Sequence, residues 1–345
     1  MRKYKLSEFP DPVQFLHIRC GDDILQSLAE GGVPGDAVRW IDMLYEGPLH
    51  RYPDQRRALK ERAAYLAGRF GVPLAETYRD LLGQEARIAQ CTRYEETVLW
   101  FEADLFDQTI LVYLLQRLAP FQPETRISLV CIGEFPGIER FIGLGQLSPA
   151  QLATLFPARR PVTRRQFALA REAWAALTHH HPRELIRLSR TRSRAMPFLA
   201  EALLRYQAEY PSVRNGLGAT AQLALEAFEA GARTAGQAFV AVQRREARPF
   251  LGDSMFYAVL QELAGGDFPV LAAASRRLAR LSSEEFRDCE FWLTPLGKRV
   301  LAGQADWCVL APQARWMGGV LLQGTRPRWR WDPVRRRLVE QRRRR

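Results

Sequence analysis

Acidic residues recur where apolar segments end. Asp22 and Asp23 follow Gln14–Cys20 (QFLHIRC), and Asp42 and Glu46 follow Ala37–Ile41. Glu102, Asp104 and Asp107 follow Thr97–Phe101 (TVLWF), and Glu134 follows Ile127–Ile132 (ISLVCI). If these segments are parallel strands, their carboxyl ends share one rim, where open α/β sheets bind ligands. Carboxylates packed together raise one another's pKa or hold a cation, and oxygen ligands suit Mg²⁺ or Mn²⁺. The expected chemistry is general acid/base or metal-assisted, with His17, Asp22, Glu102 and Asp104 as catalytic candidates and Asp22 and Asp104 as metal ligands. Gly21, Asp23, Asp42, Glu46, Trp100 and Asp107 are the expected ligand-binding residues. The plainer alternative makes each acid a helix cap or a solvated loop residue favoured by the helix dipole. His17 is read either as a base oriented by Asp22 or as a satisfied core histidine.

Other signatures are weak. Gly143-Leu144-Gly145 is too short for a phosphate-cradling loop, and there is no GxSxG nucleophile elbow. His179-His180-His181 reads as a loop, on the expectation that adjacent histidines do not all face one metal. The five cysteines show no CxxC spacing, so buried reduced thiols are expected rather than a zinc ribbon or disulfide framework.

The elements that must position the acids follow from periodicity. Four strands (14–20, 37–41, 97–101 and 127–132) alternate with helices over 24–29, 51–70, 76–88 and 108–118, which implies a four-stranded, largely parallel sheet. Asp23 is expected to cap the first helix, and Asp54 lies near the start of the second. After Gly145 the chain turns mainly helical, with helices over 149–155, 163–177, 182–188 and 197–209. Helices over 220–230, 234–243 and 254–264 then precede strand-like 269–274 and 291–293, the order of a winged helix-turn-helix. Segments 315–322, 328–331 and 338–340 read as a terminal β-meander. The division is an α/β domain over 12–145, a basic helical linker over 146–212, a winged-helix-like domain over 213–310, and the meander with an Arg-rich tail over 311–345.

The net charge of +12 is uneven. Residues 1–157 carry −4, 158–194 carry +8, 195–325 are neutral and 326–345 carry +8. Basic stretches point to nucleic acid or another anionic surface. The candidates are Arg244, Arg245, Arg276, Arg277, Arg328 and Arg330. The third helix of the winged-helix-like region (SMFYAVLQELA) has no Lys or Arg, so these arginines would touch phosphates rather than read bases. Trp329 and Trp331 alternate with Arg328 and Arg330, either to stack bases or to anchor a small sheet on the core.

Three blocks resemble the bacterial domain of unknown function 1835 family: LHIRCGDD (Leu16–Asp23), VLWFEADLFDQ (Val98–Gln108) and GLGQLSPAQL (Gly143–Leu152). Three later blocks are similar to its C-terminal partner, domain of unknown function 3658: ALLRYQAEYPSVRNGLGATAQ (Ala202–Gln222), RPFLGDSMFY (Arg248–Tyr257) and LTPLGKRVLAG (Leu293–Gly303). The resemblance implies a family, not an activity. It draws attention to Gly21, Asp22, Trp100, Glu102, Asp104 and Asp107, and places a family histidine where this chain has Ala103.

The leading expectation is an α/β domain binding a polar or phosphorylated, nucleotide-like small molecule, with Mg²⁺ or Mn²⁺ as the fitting cation. A nucleic-acid-associated regulatory protein and a protein-interaction scaffold are the alternatives, and whether a reaction follows binding is open. No apolar run spans a membrane and residues 1–12 are no secretory signal, so the expected setting is the cytoplasm.

Overall fold

The computed structural model describes residues 14–341 apart from 53, 123 and 313. The 1–12 segment and the terminal arginines 342–345 lie outside the described residues. The strands are β1 (Phe15–Cys20), β2 (Asp36–Trp40), β3 (Gly47–Pro48), β4 (Glu96–Glu102), β5 (Arg126–Ile132), β6 (Arg160–Pro161), β7 (Leu271–Ala273), β8 (Phe291–Leu293), β9 (Arg315–Gly318), β10 (Val320–Leu322), β11 (Trp329–Asp332) and β12 (Arg337–Glu340). The helices are α1 (Leu25–Glu30), α2 (Gln55–Phe70), α3 (Leu74–Ala89), α4 (Leu105–Leu118), α5 (Pro149–Leu155), α6 (Arg164–Leu177), α7 (Arg183–Leu188), α8 (Leu199–Gln207), α9 (Ala219–Glu229), α10 (Ala235–Arg245), α11 (Asp253–Ala264), α12 (Ser283–Asp288), α13 (Pro295–Leu301) and α14 (Trp307–Leu310).

Contacts divide the chain into two units that interleave in sequence. The first comprises residues up to Asp42, Leu81–Glu102 and Ile110–Arg171, and the second comprises Met43–Asp80, Ala103–Thr109 and Glu172–Arg345. Their limits do not coincide with the linear boundaries at 145 and 212.

The first unit is built on a sheet of order β2-β1-β4-β5-β6. The β1–β2, β1–β4 and β4–β5 pairs are parallel. Every residue of β4 is buried, as expected of a central parallel strand covered on both faces. The expectation of four strands is corrected to five, because the two-residue β6 pairs antiparallel with β5 as an edge. The chain leaves β1 toward β2 on one side and continues through β4 and β5 on the other. The crevice between the carboxyl ends of β1 and β4 is therefore the topological switch point. Phe15, Ile24, Leu28, Val98, Trp100, Val130, Leu144 and Leu152 share one apolar core. Helix α5 begins with a reciprocal capping box between Ser148 and Gln151, with Pro149 at its first position, which satisfies two of its orphan backbone groups.

In the second unit, α9, α10 and α11 pack with β7, β8, α12 and α13 around Leu225, Phe256, Leu260, Val270 and Phe291. Strands β7 and β8 are antiparallel. The expected single terminal meander is corrected to two separate pairings. The β9–β10 hairpin joins β3, whereas β11 pairs with β12 alone. Among the described residues, no helix is long and apolar enough to cross a membrane.

Candidate functional site

Within the first unit, the crevice at the switch point is filled by protein. Arg19 of β1 is nearly fully buried and spans two carboxylates. Its Nε and Nη2 donate to the two Asp23 oxygens at 3.1 and 3.2 Å, and Nη2 donates to Glu102 Oε1 at 2.6 Å. The same Glu102 oxygen accepts from the Leu144 backbone N–H at 2.6 Å. The Gly143-Leu144-Gly145 loop thus closes the crevice, with its leucine sunk in the core. A Cβ on Gly143 would lie 2.9 Å from a Glu102 oxygen, and one on Gly145 would lie 2.9 Å from Asp23 Oδ2. The two glycines thus lie in close approach to carboxylates rather than to a phosphate, most tightly at Gly143, whose neighbour Glu102 is buried and held by Arg19. Arg19, the residue that organises this arrangement, went unremarked in the sequence. The signal was an arginine inside an apolar strand, four residues before Asp23.

Asp23 consequently does not cap α1. The residue in that position is Ile24, and no side chain bonds to the helix start there. Gly21 turns the chain out of β1 with φ +73° and donates its N–H to the Trp40 carbonyl. Asp22 is largely exposed and faces Arg39 at 3.7 Å. It is not among the carboxylates that cluster near the end of β4, which corrects its pairing with Asp104 as a metal site. Asp42 is buried two residues beyond the end of β2.

His17 is a core histidine, and its reading as a general base is corrected. The Trp100 indole N–H donates to His17 Nδ1 at 3.0 Å, and His17 Nε2 lies 3.0 Å from the Pro34 carbonyl. An indole nitrogen only donates, so Nδ1 must accept and Nε2 must carry the proton. Both ring nitrogens are occupied, leaving no lone pair to abstract a proton. Burial holds the imidazole below its ordinary pKa, with the positive charge of Arg159 acting the same way. Trp100 is wholly buried as the partner of His17, so it is not available to a ligand.

Glu102, Asp104 and Asp107 lie on the β4–α4 turn, and one oxygen of each lies within 4.8 Å of the others. Asp104 Oδ1 accepts from the Asp107 N–H at 3.0 Å, the bond expected of a residue heading a helix.

The second unit contains a cleft of about 290 Å³. Asp104 lines it, together with Arg205, Glu246, Arg248, Trp331 and Arg336. Arg205 of α8 is held from three sides. It donates to Glu209 at 2.7 Å, to Glu246 at 2.6 Å and to the Thr220 hydroxyl at 3.1 Å. Burial alone would raise the Glu209 carboxyl, but Arg205, Arg315 and the Thr220 hydroxyl outweigh it and hold the group below its usual range. Arg248 reaches Glu201 at 3.3 Å across the cleft rim. Arg336 is exposed in the β11–β12 turn, with φ +49°. Such left-handed geometry costs a non-glycine residue about 1–2 kcal/mol. Among the described residues, Arg336 has no hydrogen-bond or ion-pair partner. Of these residues the sequence singled out Asp104 as a site candidate. Arg205 and Glu209 carry a signal in their i, i+4 spacing on a helix, but Glu246, Arg248 and Arg336 arrive from distant segments.

Glu46 also belongs to the second unit, where Arg69 of α2 bonds it at 3.4 Å. Arg69 further donates to the Ala258 carbonyl and to Glu262 on α11, each at 3.2 Å. Tyr45 donates to Met255 Sδ on the same helix. Met255, Ala258 and Glu262 of α11 are therefore engaged by residues of their own unit.

The nucleic-acid candidates separate in the same way. Arg330 is buried and tied to Asp306 at 2.6 Å and to the Ser212 carbonyl, which corrects its assignment as a phosphate contact. Trp329 and Trp331 are buried, as anchors of a small sheet are. Arg328 pairs with Glu340, and Arg245 with Glu226 at 2.5 Å. Arg244, Arg276 and Arg277 are exposed. His179–His181 lie in the loop between α6 and α7, as expected, but the expectation that adjacent histidines do not converge is corrected, because a sharp bend brings one ring nitrogen of each within 4.8 Å of the others.

No family model matches the chain, and no curated protein matches it.

Proposed function

We propose that the cleft of the second unit binds a small polar molecule bearing a phosphate or carboxylate group. The observation that carries this reading is Arg336. A strained, unpaired guanidinium stands at the lip of a cleft whose other charges, Arg205 with Glu246 and Arg248 with Glu201, are already matched. Strained backbone retained at a concave polar surface is a functional signal. Arg336 would meet the anionic group in a fork geometry. Trp331 offers an apolar wall, and Asp104 an acceptor for a hydroxyl or a ligand for Mg²⁺ or Mn²⁺. The resemblance to domain of unknown function 1835 adds a family to this proposal but no activity. The free thiols fit a reducing compartment such as the cytoplasm.

The test is thermal stability of the full chain with inorganic phosphate, AMP or ADP, each with and without Mg²⁺. A ligand at 100 times its Kd adds about 2.7 kcal/mol. A shift that disappears in Arg336→Gly and Asp104→Asn supports the reading, and a shift retained in both overturns it.

A second reading rests on a different observation. Thr234 bridges Glu290 antiparallel beside β8, so the order runs helix, bridge, helix, helix, strand, strand, which favours a winged-helix-like module. Arg276 and Arg277 lie on the connection between its two strands and would touch phosphates without reading bases. Stabilisation by short DNA that salt abolishes would favour this module as a backbone binder. Silence toward every small molecule and nucleic acid would favour a protein partner.

A further inference from the structure

Three consecutive histidines rarely converge. On a strand, neighbours point to opposite faces, and on a helix they are about 100° apart. Here the chain leaves α6 and bends at once. The His179 N–H bonds the Ala176 carbonyl at 3.4 Å, and the His181 N–H donates to His179 Nδ1 at 3.3 Å. The ring centroids are 4.3 Å apart for His179–His180, 4.0 Å for His179–His181 and 4.9 Å for His180–His181.

Two independent observations show that the bend is held in place and lacks a partner. Gly318, the last residue of β9, and Gly319, which joins it to β10, press on its backbone. A Cβ at Gly318 would lie 2.2 Å from the Leu177 carbonyl oxygen, and one at Gly319 would lie 2.2 Å from that of Thr178. The Gly319 N–H also donates to the Leu177 carbonyl at 2.9 Å. Furthermore, His181 Nδ1 is shut off from solvent and, among the described residues, has no hydrogen-bond partner. A buried polar atom left unsatisfied calls for an explanation.

We propose that His179, His180 and His181 form a binding site for a divalent transition-metal ion, with Zn²⁺ as the best-matched case and solvent completing the coordination. Imidazole nitrogens suit Zn²⁺, Cu²⁺ and Ni²⁺, whereas Mg²⁺ and Ca²⁺ prefer oxygen. Three histidines plus water is an open tetrahedral arrangement for zinc. Zn–N bonds of about 2.0–2.1 Å put tetrahedral nitrogens roughly 3.3 Å apart, so nitrogens that now lie within 4.8 Å of one another need to close by up to about 1.5 Å. Since His179 Nδ1 already accepts the His181 N–H, its Nε2 is the nitrogen left to serve as a ligand. The site is separate from the cleft and does not depend on that reading.

The experiment is calorimetric titration of the full chain with Zn²⁺ alone, repeated with Mg²⁺, and with Co²⁺ followed by its visible spectrum. The expected result is one Zn²⁺ per chain, no Mg²⁺ uptake and the absorption of tetrahedral Co²⁺. His180→Asn, at an exposed position that leaves the fold intact, weakens binding at least about tenfold, and His179→Gln/His181→Gln abolishes the Co²⁺ spectrum. His50→Gln is the control for the other accessible histidine and leaves binding unchanged. Absence of Zn²⁺ uptake overturns the proposal. So does full affinity in both the His180→Asn and the double variant, which would move the metal to a cysteine or to His50.

Discussion

Each unit buries an arginine between two carboxylates, yet the two arrangements face different surroundings. In the first, Arg19 holds Asp23 and Glu102, and the Gly143–Gly145 loop seals them, spending a backbone N–H on Glu102. In the second, Arg205 holds Glu209 and Glu246 beside a cleft lined by Arg248 and Arg336. The first occupies the switch point where an α/β sheet normally receives its ligand. The chain has used that crevice as a joint. Strand-end acids thus indicate a place where charge gathers, while the neighbours decide whether it stabilises or binds.

The comparison can be broken by substitution. Glu102→Ala has the largest expected effect. It takes one of its two carboxylates from buried Arg19, which keeps Asp23, and strands the Leu144 N–H in the interior; removing one partner of a buried pair costs about 3–5 kcal/mol, measurable as a lower urea midpoint. Glu102→Gln keeps the acceptor for Leu144 and recovers part of that loss. Gly143→Ala comes next. Its methyl group meets the Glu102 carboxylate, and overpacking of this kind costs about 1–3 kcal/mol, read as a lower Tm.

His17 gives a smaller, pH-dependent term. Its folded pKa lies below the unfolded value of 6.5, so the unfolded chain binds the extra proton. This contribution is complete above 6.5 and is lost as pH falls from there to the folded pKa. Stability measured across that window should decline on acidification in the native protein, and less steeply in His17→Gln. Arg336→Gly has the smallest effect on folding and the sharpest on function. It relieves left-handed strain, stabilises by up to about 1 kcal/mol, and removes the ligand-induced shift in Tm. Destabilisation on that change would mean that Arg336 is part of the fold and not of a site.

Much of the secondary structure was legible because local chemistry specifies it. The segment FLHIRC gives β1, the Ser148-Pro149 start gives α5, and Phe291–Leu293 gives β8. The pairing of Arg19 with Glu102 was not legible, because it depends on two strands becoming neighbours across 83 residues of chain. The cleft was hidden for the same reason, since Asp104, Arg205, Glu246 and Arg336 have no common spacing. His179–His181 failed in the opposite direction. Ideal geometry separates adjacent side chains, and only the pressure of Gly318 and Gly319 on the preceding carbonyls makes the bend that unites them.

The interleaving of the two units has a consequence for synthesis on the ribosome. The first unit has all its segments once Arg171 has emerged, whereas the second still lacks everything from Glu172 onward. During that interval Met43–Asp80 and Ala103–Thr109 are tethered within a chain whose first unit is complete, but they have no core to join. Leu59, Ala63 and Leu66 of α2, buried in the finished protein, are then exposed apolar surface of the kind that chaperones shield. Slowing elongation just after Arg171 should therefore lower the yield of native protein, while slowing it before Asp42 should not.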